Sequence, residues 1–466
     1  MVDPGQLTYK PISHGEQLSL RWCCVDMLRL IAPFLTAALF ATACAPSESV
    51  SEAAPDRASQ SEPSPGAEPS TGSEGDDNNE AYELVSTTET DDPFDRDGGA
   101  TTSNDGVRNF DSIEDLPGEV FNSSRNWTTD WTRRTIDVTE MRAGLHSSDP
   151  RDGIPPIDVP QFQPISTADW LSDNDPGALV QLNGEARFYP LSILTAHEIV
   201  NDRFGDVPVA VTFCPLCNTA ITFDRRVDGE VLRLGVSGLL RHSDLVMWDD
   251  KTDSLWQQLT GEGIIGTYAG TQLEVIPTAI VSYSDARTGF PNALSLAPES
   301  GRGRYGSNPY VGYSSLSRPF LYDGETDDRF PALSRVVGLS VNDDAKAYHF
   351  TTLAKTRAVN DTVGDTPVVV WWGGNAADAL DASSIADSQV IGSGLVFDRR
   401  VDGQTLTFAP ADNDQFVDEE TGTTWSLLGQ AVAGPLEGLH LTPVAHRNEF
   451  WFAWNAFFPD ADVYDS

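Results

Sequence analysis

FDRRVDG occupies residues 223–229 and recurs letter for letter at residues 397–403. Three flanking stretches repeat in the same order. LNGEARFYPL (182–191) answers VNDDAKAYHF (341–350), and IVNDRFGDVPVAV (199–211) answers AVNDTVGDTPVVV (358–370). DKTDSLWQQLTG (250–261) answers EETGTTWSLLG (419–429), which sets Trp256 opposite Trp425. Self-similarity on this scale means one structural unit used twice, each copy covering apolar surface of the other. Two similar lobes packed about a pseudo-twofold axis are therefore expected.

From Asn126 onward, short apolar runs rich in Val, Ile, Thr, Phe and Trp are broken by Gly, Pro, Asn and Asp. That texture predicts an α+β, β-rich body. VPVAVTF (207–213) and TPVVVWW (366–372) read as buried strands. LSILTAHEIVND (191–202) and FTTLAKTRAVND (350–361) carry apolar residues at helical spacing and predict helices ending at Asn-Asp. NTAITFDRRVDGEVLRLGV alternates like a hairpin turning at Val227 to Gly229, and the Asp and Arg of FDRRVDG read as ties between turn and sheet.

Ahead of the body, the segment from Met27 to Cys44 has an arginine near its start, an apolar run and small residues before the cysteine. It reads as a signal peptide with a lipobox-like end, making Cys44 the lipidation site and Met27 the expected start. Residues 45 to about 105 are rich in Ser, Pro, Gly, Glu and Asp, too polar to bury a core, and are expected to form a disordered acidic tether. The expected divisions are a signal region at 1–43, the tether at 44–106, an N-terminal extension packing on the body at 107–165, repeat 1 at 166–300 and repeat 2 at 301–466. Such a chain would be exported, with a lipid anchor as its membrane contact.

The full sequence of 466 residues carries 70 acidic against 30 basic residues, a net charge of −40. That charge repels phosphates and excludes nucleic acid as a partner.

The second copy serves as an internal control, because a residue present in one copy alone is not demanded by the shared scaffold. Where copy one has Phe213-Cys214-Pro215-Leu216-Cys217, copy two has Trp372-Gly373-Gly374-Asn375-Ala376. His197 and Glu198 face Thr356 and Arg357. GVSGLLRHSDLVMWD (235–249), with His242 and Met247, faces the unrelated FAPADNDQFVD (408–418). One live site in copy one and a degenerate second copy are expected.

Three readings of the cysteine pair stand open. As thiolates, Cys214 and Cys217 would hold a transition metal (Cu, Zn or Fe), with His197 and His242 as further ligands and Met247, Glu198 and Asp244 behind them. As a redox couple they would make Cys214 the attacking thiol of an oxidoreductase. As a disulfide they would staple a turn in a cell-surface binding module. GVSGLL lacks the spacing of a serine-hydrolase elbow. His349, His440 and His446 fall in the degenerate copy and read as surface or packing residues.

DWTRRTIDVTEMRAG (130–144), RDGIPPIDVPQFQPI (151–165), ARFYPLSILTAHEIVND, VAVTFCPLCNTAITFDRRVDG, GVSGLLRHSDLVMWDDKTDSLW and NPYVGY (308–313) together resemble an exported bacterial and archaeal family known as domain of unknown function 3179. The resemblance runs from about residue 127 to 466. It implies that His197, Cys214 and Cys217 are the positions that matter, and brings no activity with it.

Overall fold

Val207–Cys214 is a strand buried on both faces, as a run of valines and threonine in the middle of a sheet must be. The computed structural model describes residues 101–102, 106–110, 115–299, 305–342 and 344–465, which belong to one unit, 92–466. The signal region, Cys44 and nearly all of the expected tether lie outside the described residues.

In the first half the chain runs β1 (Pro176–Leu182), β2 (Glu185–Pro190), α1 (Leu191–His197), β3 (Ile199–Phe204), β4 (Val207–Cys214), β5 (Thr219–Asp224), β6 (Leu234–Arg241), β7 (Asp244–Asp249), β8 (Leu255–Gln257), β9 (Gly263–Ile265), β10 (Thr278–Ser282), α2 (Tyr283–Gly289) and β11 (Leu294–Leu296). The second half runs β12 (Arg335–Val341), β13 (Asp344–His349), α3 (Phe350–Thr356), β14 (Ala358–Val363), β15 (Thr366–Gly373), β16 (Ser393–Asp398), β17 (Phe408–Pro410), β18 (Phe416–Asp418), β19 (Thr424–Trp425), β20 (Ala431–Ala433), β21 (Arg447–Phe450), α4 (Trp451–Phe457) and β22 (Asp462–Val463).

Each half builds three small sheets in the same order. β1 and β2 form a hairpin, with β10 antiparallel on β1 and β11 parallel to β2. β12 and β13 do the same with β21 and β22. β3-β4-β5 and β14-β15-β16 are antiparallel meanders, as are β6 to β9 and β17 to β20. Short strands at 108–109, 133–134 and 141–143 extend the β6 to β9 sheet. The architecture is β-rich, with every described helix seven residues or shorter.

The two predicted helices stop earlier than their apolar spacing implies. α1 ends at Glu198 (φ 59°) and α3 at Arg357 (φ 63°), and Asn201-Asp202 and Asn360-Asp361 lie in β3 and β14. β-branched Ile199 and Val200 go into the ladder with β4, a better use of their stiff side chains than another helical turn. A left-handed residue other than glycine costs about 1 to 2 kcal/mol, and both halves retain it at the same point.

FDRRVDG is a structural tie in both places. Asp224 pairs with Arg226 and Asp398 with Arg400, while Asp228-Gly229 and Asp402-Gly403 supply the positive φ of the two-residue turn. Arg225 donates to the carbonyls of Val209, Leu232 and Asp202. Trp256 Nε1 donates to Asp249 at 3.0 Å, and Trp425 Nε1 to Asp418 at 2.9 Å.

The halves share their cores. One cluster joins Ile193, Phe213 and Trp256 to Leu380, Phe450 and Phe452. Another joins Phe188 and Val281 to Trp371, Phe397 and Trp425. At roughly 1.5 to 3 kcal/mol per large buried side chain, these shared clusters couple the stability of each half to the other.

Candidate functional site

Cys214 is the last residue of β4, and Thr219 opposite it opens β5. Pro215-Leu216-Cys217-Asn218 is therefore the loop of a hairpin, closed by Asn218 N on Pro215 O at 3.2 Å and by the positive φ of Asn218. This loop folds both sulfurs inward, with Cys214 2% exposed and Cys217 fully buried. Both are free thiols.

The turn between β6 and β7 comes down on them. His242 and Ser243 both adopt positive φ, the geometry a two-residue hairpin turn requires, and Ser243 O lies 3.9 Å from Cys214 Sγ and 3.6 Å from Cys217 Sγ. The next residue, Asp244, is fully buried. Its Oδ2 accepts from Gln257 Nε2 at 2.6 Å and from Leu259 N at 2.9 Å, while Oδ1 receives no hydrogen bond from nitrogen or oxygen among the described residues. One ligand atom each from Cys214, Cys217 and Asp244 lie within 4.8 Å of one another, the only such group of three or more His, Cys, Asp or Glu among the described residues.

The expected histidines do not join this group. His197 is buried, with Nδ1 2.7 Å from Pro155 O and Nε2 2.9 Å from the Tyr305 hydroxyl, so hydrogen bonds occupy both nitrogens. His242 Nε2 lies 3.3 Å from Glu140 Oε2, and the ring packs edge-on against Phe457 and Tyr322. The turn that aims Ser243 O at the sulfurs turns its neighbour's ring away. Met247 is core. Asp244, expected only as a supporting residue, stands in front.

Two further acids complete the surroundings. Glu198 is 7% exposed. Burial first, and then the charge of Asp244, push its carboxyl up to about 8. Glu449, on β21 of the second half, is fully buried, with the Thr219 hydroxyl as a neighbour and no well-formed hydrogen bond to either carboxylate oxygen among the described residues. Its carboxyl is also pushed up to about 8, by burial first, partly offset by Arg447. Burial raises Asp244 to about 6 against the hydrogen bonds from Gln257 and Leu259, and raises both thiols.

The second half contributes as well, through contacts that residue order alone does not reveal. Phe450 N donates to Cys217 O at 3.0 Å. The registers make Arg447-Asn448-Glu449 the counterparts of Ala279-Ile280-Val281, because Arg447 pairs with Gly338 as Ala279 pairs with Leu179. Where a charged strand faces the thiols, its counterpart is apolar. Aligning 278–282 with 446–450 would have exposed the contrast.

At the corresponding place in the second half, Arg357 leaves the helix end with the backbone of Glu198, donates through Nε to Trp372 O at 3.1 Å and pairs with Asp414 at 2.5 Å. Asp414 comes from the β17–β18 loop, as Asp244 comes from the end of the β6–β7 turn. Gly373 replaces Cys214. So the half without thiols sets its own guanidinium in an ion pair with its acid, and the half with thiols sets a second acid there.

No curated protein and no solved structure matches the chain. A family model described as "Protein of unknown function (DUF3179)" matches residues 151–461, and the chain belongs to that family.

Proposed function

We propose that the chain binds a transition metal through Cys214, Cys217 and Asp244, with the remaining coordination position open to an exogenous ligand beside Glu198. The carrying observation is the exchange of Arg357–Asp414 for Glu198–Asp244 together with two thiols. A buried like-charged pair is costly, whereas a dication there would compensate the acids and hold both thiols as thiolates. Two thiolates and one carboxylate suit Zn2+ or Fe2+ better than Cu(I), which prefers softer donors. Three protein ligands with one open position is the pattern of a catalytic rather than a structural zinc site.

Thiol–disulfide exchange is the weaker reading. A reactive cysteine needs its pKa lowered by neighbouring positive charge, and here burial and acidic neighbours raise both thiols.

The matching sheet order supports an internal duplication about a pseudo-twofold axis. β10 packs on β16 while β21 packs on β5, and β10 and β21 meet each other. Export and a lipid anchor at Cys44 remain part of the proposal on sequence grounds alone. No helix of the described residues is long and apolar enough to cross a membrane.

The test is Co2+ loading of the reduced full chain. Thiolate-to-cobalt charge transfer at one equivalent is expected, lost in Cys214→Ser and weakened in Asp244→Asn. Wild-type protein that shows no thiolate-dependent cobalt band would overturn the proposal.

A further inference from the structure

The thiols lie beneath residues 313–321, which join no β-ladder. Upstream, the chain is pinned by backbone bonds from Asn308 N to Ser383 O and from Gly312 N to Asp381 O. Downstream, Tyr322 packs on Phe452, with ring centroids 5.1 Å apart. Between these anchors, the backbone of 313–316 bonds, among the described residues, only within its own turn. The segment is tied to the site by two side-chain hydrogen bonds: the Tyr313 hydroxyl donates to Leu216 O at 3.0 Å, inside the cysteine loop, and Ser243 Oγ donates to Phe320 O. A third, longer bond, Phe320 N to the Tyr313 hydroxyl at 3.4 Å, closes the segment on itself.

Its ends have the backbone of hinges. Gly312 sits at φ 72° and Leu321 at φ 54°, and a leucine there is strained. Two of its apolar side chains add little hold, Leu316 being 45% and Phe320 39% exposed, while Pro319 between them is buried. Tyr313, by contrast, is 2% exposed and wedged against Phe450. A segment held by few buried contacts and few backbone bonds opens at low free energy compared with the sheets around it.

We infer that residues 313–321 are a flap that closes over Cys214 and Cys217 and opens about Gly312 and Leu321 to admit what the thiols bind. Tyr313 and Ser243 are its two latches. The inference rests on the thiol site proposed above and adds how that site is reached.

The test is residue-resolved alkylation of the reduced, metal-free full chain, with iodoacetamide as the probe and mass mapping to separate Cys214 and Cys217 from the other cysteines. Slow labelling is expected in the wild type. Ser243→Ala and Tyr313→Phe should each speed it about tenfold, the worth of one hydrogen bond, with a labelling rate that depends on denaturant far less steeply than global unfolding does. Leu321→Gly relieves strain in the closed state and should slow labelling about threefold, after the entropy that glycine restores to the open state. Equal rates in all four proteins, or rates that follow global unfolding in denaturant, would overturn the flap. The labelling needs no metal, so a failure of cobalt binding leaves this result independent.

Discussion

The amide of Phe450 in the second half donates to the carbonyl of Cys217 in the first at 3.0 Å. The thiol loop is thus held from the opposite half, and Glu449 beside Phe450 supplies a buried acid to the same place. The site is a property of both halves, although its sulfurs come from one.

A chain ending at residue 330 is accordingly expected to lack cooperative unfolding, since Phe450 and Phe452 leave the core that holds Phe213. Adding residues 331–466 in trans should restore a transition and cobalt binding together. Circular dichroism across a denaturant series checks this, and a cooperative transition from the short chain alone would contradict it.

Glu198→Arg should reproduce the second half's solution. A guanidinium leaving the helix end at residue 198 would reach Asp244 as Arg357 reaches Asp414, replacing acid–acid repulsion with an ion pair, so that the metal-free protein gains stability and metal binding is abolished. Chemical denaturation with chelator present reads the first effect, and the cobalt band the second. A variant that keeps full metal affinity would remove Glu198 from the site.

Metal-free protein should lose stability as pH rises from about 4.5 to about 8. Glu198 and Glu449 have folded-state values near 8 against an ordinary 4.5. Below 4.5 both states carry the proton, and within the window only the folded state does, so unfolding releases it and is favoured by rising pH. Each group contributes at most about 1.4 kcal/mol per pH unit. Glu449→Gln should flatten the slope in urea midpoints measured with chelator, and an unchanged slope would refute the assignment.

Asp249→Ala and Asp418→Ala test the scaffold shared by the halves. Each carboxylate accepts from a buried tryptophan Nε1 and from backbone amides of its own turn, Lys251 and Thr252 in one case and Thr421 in the other. Each substitution is expected to cost about 3 kcal/mol, with cobalt binding retained in Asp418→Ala because its turn lies in the half without thiols. Denaturant midpoints and the cobalt band measure both.

Part of this was legible in the letters. The strands around Val209 and Val368 follow from alternation and β-branching, and the FDRRVDG turns follow from Asp-Gly chemistry. The helices were overread, because Leu191, Leu194 and Ile199 fit a helical spacing until pairing with β4 takes Ile199 into a sheet. At the site, the copy comparison singled out Cys214, Cys217 and Glu198, but it favoured His197, whose ring nitrogens are engaged by Pro155 and Tyr305.

By itself the sequence determined the β-rich texture and the confinement of the thiols to one of two similar stretches, because these depend on residue type and order along the chain. Only the tertiary structure decided that Asp244 rather than a histidine faces the sulfurs, and that Glu449 arrives from more than 200 residues away. Which side chain reaches a point is set by turn geometry and strand register, and a single positive-φ turn at His242-Ser243 sends the imidazole outward and the carboxylate in.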